Sequence, residues 1–234
     1  MQLPLVVRPE TLPEALPEPV KPIDLRSAAD YEAGHLPGAV RVEAKLLNRV
    51  APPVGGLLPS LEKVNQLIRD AGLEANDHVL AYDAGASTEA ARLIWVLHAF
   101  GFHACSWLDG GYSAWQRAGG TPETGNREIE PSAFQLALEG DNVLSAEQLL
   151  TRLDAPELAL LDVRSLAEFR GEDVRATMGG HIPGARHLEW TDVFGADGRL
   201  KNESELRELF ASAGLEPSNE VVVYCQTHQR SAVT

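Results

Sequence analysis

Residues 158–165 read Leu-Ala-Leu-Leu-Asp-Val-Arg-Ser, an apolar run that ends in an acidic and a basic residue. A short run without polar interruption is typical of a strand that is buried on both faces of a parallel sheet. Its last four residues have a close counterpart, Asp-Leu-Arg-Ser, at 24–27. The stretch therefore predicts a central strand and indicates that the chain contains two similar halves.

Three further pairs of segments repeat in the same order along the chain. They are Gly-His-Leu-Pro-Gly-Ala at 34–39 with Gly-His-Ile-Pro-Gly-Ala at 180–185, Ala-Gly-Leu-Glu at 71–74 and 213–216, and Val-Leu-Ala-Tyr at 79–82 with Val-Val-Val-Tyr at 221–224. The four pairs are separated by 138, 146, 142 and 142 residues. Such near-constant spacing indicates a duplicated domain rather than a solenoid.

Helices and strands are expected to alternate within each half. In 204–214, four apolar residues fall on one helical face and Gly214 ends the helix. Other expected elements are helices at 61–68 and 92–100 and strands at 104–108 and 220–224. Alternation of this kind predicts an α/β fold in which parallel sheets are flanked by helices.

We divide the chain into a first domain at 1–120, a linker at 121–141 and a second domain at 142–234. The linker begins with closely spaced Gly, Pro and Thr residues and lacks helical periodicity there. Ser145 and Gln148 have the spacing of a capping box, which predicts the first helix of the second domain.

Charge and composition exclude several classes of function. The 234 residues carry 20 Lys and Arg against 34 Asp and Glu, a net charge of −14, which disfavours nucleic acid and anionic membranes as partners. We find no export signal and no span of about 18 apolar residues, so we predict a cytoplasmic protein. The two cysteines are too few for a disulfide framework.

The two halves differ just after the Tyr82 and Tyr224 strands. The first half continues with Asp83, whereas the second continues as Cys-Gln-Thr-His-Gln-Arg-Ser at 225–231. Ligands bind beyond the carboxyl ends of strands in α/β sheets, and loop amides at a helix start stabilise negative charge there. A thiolate at Cys225 would have a lowered pKa, and Arg230 would add a positive charge suited to an anion.

With these motifs the sequence resembles the tandem-domain rhodaneses, which are thiosulfate sulfurtransferases. The likeness extends over nearly the whole chain from about residue 20 and includes Gly-Gly-Tyr-Ser-Ala-Trp at 110–115. It implies two rhodanese-like domains, of which only the second carries the nucleophile. It also implies that Cys225 takes sulfur from an anionic donor, thiosulfate, and passes it as a persulfide to cyanide or a thiol. No metal or organic cofactor is implied.

We predict Cys225 as the catalytic residue, with six further residues that bind the substrate. They are Arg230, Gln226, Thr227, His228, Gln229 and Arg186. His228 is the single histidine of the loop, and no cluster of Cys, His and Asp accompanies it in the sequence, which argues against a metal site. His35 and His181 occupy matching turns although only one half has the loop cysteine, so we interpret both as structural. Cys105 lies in a predicted strand and is interpreted as a small buried residue.

Three other functions remain open. The first is transfer of sulfur from 3-mercaptopyruvate. The loop resembles a variant found in bacterial thiosulfate enzymes, but it has neither the usual thiosulfate pattern nor the usual mercaptopyruvate pattern, so the donor stays open. The second is a phosphatase or arsenate reductase, whose related loops have the longer spacing Cys-x5-Arg, against Cys-x4-Arg from Cys225 to Arg230. The third is a sulfur-binding module without catalysis.

The second half lacks counterparts of the last elements of the first. Thr234 aligns with Arg92, after which the first half continues with a helix, the 104–108 strand and the 110–115 turn. We therefore expect the second domain to be incomplete and the natural protein to extend by a few dozen residues.

Overall fold

A computed structural model describes residues 3–52, 54–85, 88–137 and 142–234. The chain divides into two compact units, the first up to Asn142 and the second from Val143 to Thr234. The boundary lies one residue from the predicted start of the second domain. None of the helices in the described ranges combines the length and the apolar character that crossing a membrane requires.

The first unit is built around a parallel sheet of five strands in the order β1-β7-β6-β2-β3. A separate antiparallel pair consists of β4 and β5. The strands are β1 (Val6–Val7), β2 (Val20–Asp24), β3 (Val40–Arg41), β4 (Arg49–Ala51), β5 (Val54–Leu57), β6 (His78–Tyr82) and β7 (Cys105–Leu108). The helices are α1 (Ala28–Ala33), α2 (Leu61–Asp70), α3 (Glu89–Ala99) and α4 (Gly111–Arg117).

The second unit contains a parallel sheet of three strands in the order β10-β8-β9. The strands are β8 (Leu158–Asp162), β9 (Arg186–His187) and β10 (Glu220–Tyr224), and the helices are α5 (Ala146–Leu150), α6 (Leu166–Arg170), α7 (Glu203–Ser212) and α8 (Arg230–Val233). The strand that ends at the aspartate of each Asp-x-Arg-Ser run is therefore not at an edge: β8 lies between β10 and β9, as β2 lies between β6 and β3. The α/β fold with helix-flanked parallel sheets is confirmed.

The core of the second unit forms where β8 meets α7. Leu161 and Val163 are 1% and 0% exposed, and Phe210 packs against them from α7. Leu209 and Ala213, on the helical face expected from the sequence, belong to the same cluster. The capping box predicted at Ser145 is present at the start of α5, where the Ser145 and Gln148 side chains each bond to the other's backbone.

A buried ion pair ends each central strand. Asp162 is 0% exposed and accepts hydrogen bonds from Arg164 Nε at 2.9 Å and 3.0 Å. Arg164 also donates to the carbonyl of Gly180 at 2.8 Å, so the pair ties the end of β8 to the following turn. In the first unit, Arg26 makes the same contacts with Asp24 and with the carbonyl of Gly34.

The histidines of the two turns have matching structural contacts. His181 stacks on Phe169 with ring centroids 3.7 Å apart, and its Nδ1 lies 2.8 Å from the Phe169 carbonyl oxygen. His35 has the same relation to Tyr31, at 3.9 Å and 2.8 Å. Both histidines therefore fix a turn, as the sequence comparison suggested.

Two segments differ from the sequence expectation. The predicted linker, 121–141, packs along the first unit as far as it is described: Glu123 and His35 exchange two backbone hydrogen bonds, and the backbone of Leu136 bonds to the Asn65 side chain. The predicted turn at 110–115 is largely helical and forms the start of α4. Glycine at position 111 lets the start of α4 pack closely against Asp83, because a Cβ at Gly111 would lie 2.5 Å from the carbonyl oxygen of Asp83.

The buried pair at the end of β8 gives a test of stability. We expect Asp162→Ala to lower the free energy of unfolding by about 3–5 kcal/mol, because it leaves the Arg164 charge without its buried partner. The exposed pair of Arg207 and Glu203 is the control. Arg207→Ala should cost less than about 1 kcal/mol. Urea titrations of both variants check the difference, and equal losses would contradict a structural role for the buried pair.

Candidate functional site

The candidate site lies where β10 ends. Tyr224 is the last residue of the strand and pairs with Asp162 of β8, so Cys225 begins its loop beyond the carboxyl end of the sheet. The loop runs to Arg230, where α8 begins. The Tyr224 hydroxyl accepts a hydrogen bond from the backbone N–H of Ile182, which joins this end of β10 to the turn after α6.

Several hydrogen-bond donors surround the sulfur of Cys225. Its Sγ lies 3.6 Å from the Ser231 hydroxyl. The backbone N–H groups of Thr227 and Ser231 also donate to the sulfur, and the guanidinium of Arg230 adds a hydrogen bond and a positive charge. The arrangement is suited to hold a negatively charged sulfur atom.

These contacts lower the pKa of Cys225. Burial of the sulfur raises the pKa. The hydrogen bonds from Ser231 and from the amide of Thr227, with the charge of Arg230, together outweigh burial, so the pKa lies below the ordinary 9.0. Cys105 is the opposite case, since burial alone raises its pKa to about 12. Cys225 is therefore the more reactive thiol at neutral pH.

Arg230 is paired with a carboxylate that the sequence reasoning missed. Its Nη1 and Nη2 donate to the two oxygens of Glu168 at 2.6 Å and 2.9 Å. The Glu168 side chain is 1% exposed, and the hydrogen bonds from Arg230 lower its pKa to about 2. The sequence does signal a capping box, Ser165 with Glu168, but it does not signal a partner 62 residues away.

The other predicted loop residues have varied positions. Thr227 acts through its amide. Gln226 Nε2 lies 3.5 Å from the carbonyl oxygen of Arg175. His228 has a positive φ of 54°, and its Nδ1 lies 3.5 Å from the Ser231 hydroxyl. Gln229 precedes the first residue of α8.

The hydrogen bond described for Arg186, a predicted substrate-binding residue, lies away from the loop. Its Nη1 donates to the Asn219 side chain at 3.2 Å. Asn219 precedes β10 whereas Cys225 follows it, so this contact directs the arginine towards the opposite end of the strand. Substrate binding by Arg186 therefore stays a prediction from the sequence.

The loop after β6 in the first unit is a useful comparison. Asp83, which aligns with Cys225, is 2% exposed. Its two carboxylate oxygens accept hydrogen bonds from the amides of Gly85 and Ala90, each at 3.0 Å. The equivalent position in both units is thus occupied by a group that can carry negative charge and that backbone amides surround.

No group of three or more His, Cys, Asp and Glu residues in the described ranges could hold a metal ion. The site is instead a single thiol in a loop of amide donors, at the carboxyl end of a parallel sheet. These features define an α/β protein with an anion-binding cysteine loop.

Comparison with known proteins identifies the family. The model of the rhodanese-like domain matches residues 9–118 and again residues 145–234. The chain belongs to the rhodanese-like domain family, and both units are matched by it.

Similar proteins include sulfurtransferases named for two donors. The thiosulfate sulfurtransferase of Azotobacter vinelandii is 37% identical over 99% of this chain and 86% of its own length. The 3-mercaptopyruvate sulfurtransferase of Escherichia coli strain K12 is 30% identical over 90% of this chain and 75% of its own. The crystal structure of SseA, a 3-mercaptopyruvate sulfotransferase from Escherichia coli, superposes with a TM-score of 0.86 and 29% identity, covering 98% of this chain and 91% of that chain.

Alkylation by iodoacetamide tests the state of the two thiols. We expect the alkylation rate of Cys225 to rise with pH around a midpoint below 9.0, because the thiolate is the reacting form and its pKa is lowered. Cys105 should react slowly throughout, since its pKa is about 12 and the residue is buried. Peptide mapping by mass spectrometry separates the two sites.

Ser231→Ala is the matched variant for this experiment. Loss of the hydroxyl removes one donor to the sulfur, so the midpoint for Cys225 should rise while Cys105 is unchanged. A wild-type midpoint at or above 9.0 would contradict the site geometry.

Proposed function

We propose that the protein is a sulfurtransferase that carries sulfane sulfur from thiosulfate to cyanide or a thiol through a persulfide on Cys225. The observation that carries this proposal is the Cys225 sulfur at the end of β10, where two amides, the Ser231 hydroxyl and Arg230 stabilise a thiolate. The identity of 37% to a thiosulfate sulfurtransferase supports it.

The reaction consists of two displacements. In the first, the Cys225 thiolate attacks the outer sulfur of thiosulfate, a new S–S bond forms, and the S–S bond of thiosulfate breaks. Sulfite leaves with the electron pair. In the second, cyanide attacks the terminal sulfur of the persulfide, thiocyanate forms and the Cys225 thiolate is regenerated. Neither step needs an external oxidant or reductant.

The loop supplies stabilisation at each stage. Negative charge moves from the Cys225 sulfur to the terminal sulfur of the persulfide and back. Amide donors already fixed in the loop stabilise the charge in both positions without reorganising, which is electrostatic preorganisation. Thr227 and Ser231 supply the amides, and Arg230 contributes a positive charge next to the sulfur. We assign Gln226, His228 and Gln229 to the rim around the entering substrate.

3-Mercaptopyruvate is the second candidate donor. It is favoured by the identity of 30% to a 3-mercaptopyruvate sulfurtransferase and by the superposition on SseA. The chemistry at Cys225 would be the same, with pyruvate as the leaving product. Hydrolysis of phosphate esters is less favoured, because the Cys-x4-Arg spacing is short and Glu168 already pairs with the loop arginine.

Partners and location follow as predictions. The net charge of −14 supports a protein that does not bind nucleic acid or anionic membranes. We infer small anionic donors and small or thiol acceptors as its partners. A cytoplasmic location stays a prediction.

Intact-mass spectrometry tests the persulfide directly. Wild-type protein treated with thiosulfate should gain one sulfur atom, because the activated thiolate attacks the donor, and should lose it on addition of cyanide. Cys225→Ser should show no gain. Cys105→Ser is the matched control, since it also removes one sulfur atom, and it should behave as wild type.

The choice of donor is decided by the same measurement with other compounds. A gain from 3-mercaptopyruvate but not from thiosulfate would replace the donor and keep the enzyme class. No gain from either compound, together with hydrolysis of an aryl phosphate that Cys225→Ser abolishes, would contradict sulfur transfer. Retention of the extra sulfur with every acceptor would indicate a binding module.

A further inference from the structure

The ion pair beside Cys225 has a consequence for donor choice. Arg230 is the positive charge that contacts the sulfur, and both of its terminal nitrogens are bonded to Glu168. The side chains of Arg230 and Glu168 are 19% and 1% exposed, so water screens the pair weakly. The arginine therefore acts on an incoming anion together with a fixed carboxylate.

Resting on the proposed function, we propose that Glu168 determines donor specificity by setting the charge of the Cys225 loop. Its carboxylate holds Arg230 beside the sulfur and at the same time cancels the charge of the guanidinium. The loop then binds donors chiefly through its amides. The effect is to restrain binding of doubly charged anions, such as thiosulfate, relative to singly charged donors, such as 3-mercaptopyruvate.

The charges around the thiolate explain the direction. When Cys225 is ionised, Cys225, Arg230 and Glu168 together carry one net negative charge. Without the carboxylate the same three positions would be neutral. Since Coulomb energies scale with the charge of the ligand, a dianion experiences twice the repulsion that a monoanion does. The same electrostatic repulsion favours release of sulfite, which is also doubly charged, after the first displacement.

Glu168 is fixed in this place by the start of α6. Its Oε2 accepts hydrogen bonds from the backbone N–H of Ser165 at 3.2 Å and from the Ser165 hydroxyl at 3.1 Å. In return, the amide of Glu168 donates to the Ser165 hydroxyl oxygen at 3.3 Å. The carboxylate thus completes a capping box and an ion pair at once. With a pKa of about 2, it stays charged in any enzymatic assay.

Other charged groups near Glu168 and the loop are already paired or exposed. Arg164 bonds to Asp162, and Arg175 bonds to Asp173 on the surface. His228 lies by the Ser231 hydroxyl, on the loop itself. Arg164 and Arg175 interact with the Glu168 charge at longer range, but each is paired with its own aspartate, so Arg230 is the charged group that loses hydrogen bonds when the Glu168 charge is removed.

Glu168→Gln is the decisive variant. Glutamine keeps the capping box, as Gln148 does at the start of α5, but it removes the negative charge. We expect the Cys225 alkylation rate at a fixed pH below its midpoint to rise roughly tenfold, because the thiolate fraction grows. The KM for thiosulfate should fall roughly tenfold and that for 3-mercaptopyruvate roughly threefold, since the effect scales with donor charge.

Two further variants separate charge from position. Glu168→Asp keeps the charge but disturbs the pair, so kcat should fall while the ratio of the two KM values stays as in wild type. Asp30→Asn is the matched control in the first unit, where Asp30 bonds to the Ser27 cap of α1 as Glu168 does to Ser165. It should change neither the alkylation of Cys225 nor either KM. Urea titrations verify that each variant is folded.

The outcomes distinguish the inference from the proposed function. Slower alkylation of Cys225 in Glu168→Gln, or an equal change of both KM values, would overturn the inference and leave Glu168 as a residue that only positions Arg230. A shift of the KM ratio in Glu168→Asp like that in Glu168→Gln would overturn it too. If the wild-type protein accepts sulfur from no donor, the proposed function fails, but alkylation still tests the charge effect.

Discussion

The hydrogen-bonded ion pair at the end of β8 is the constraint on which the site depends. Arg164 bonds to Asp162 and to the carbonyl of Gly180, so the pair fixes the end of β8 to the turn at Gly180. Ser165 follows at once and caps α6, and the cap places Glu168 where it meets the cysteine loop. A motif that serves the fold thereby determines, within six residues of Asp162, where the charge beside Cys225 lies.

The two units place different side chains at the same point, directly after β6 and β10. In the first, the carboxylate of Asp83 accepts amide hydrogen bonds. In the second, the sulfur of Cys225 receives equivalent donors and becomes a thiolate more readily than an ordinary cysteine. An aspartate in this position satisfies the amides but has no leaving or accepting sulfur. The backbone therefore provides an environment for negative charge, and the side chain decides whether chemistry follows.

Much of this could be predicted from the sequence, because the signals are local. The run at 158–165 predicted the central strand, the Gly-His-x-Pro-Gly-Ala segments predicted structural turns, and the alternation of elements predicted parallel sheets. The family and the class of reaction followed from the motifs. The pair of Arg230 with Glu168 could not be predicted, since it joins residues 62 positions apart through a fold in three dimensions. The contact of Arg186 with Asn219 could not be predicted for the same reason: its place after the turn is local, but this contact is not.

A net charge of −14 repels anions, so an anionic substrate needs local stabilisation at its site. A net positive charge does not supply this stabilisation, because the guanidinium of Arg230 in contact with Cys225 is matched by a buried carboxylate. What remains for the anion is a set of oriented amide and hydroxyl dipoles. Dipoles act over short distances. They therefore stabilise a sulfur atom inside the loop more strongly than they stabilise the charge of a substrate group that stays at the rim of the loop. For the sulfur transfer proposed above, the loop would select a donor by the position of its sulfur rather than by attraction of charge from outside.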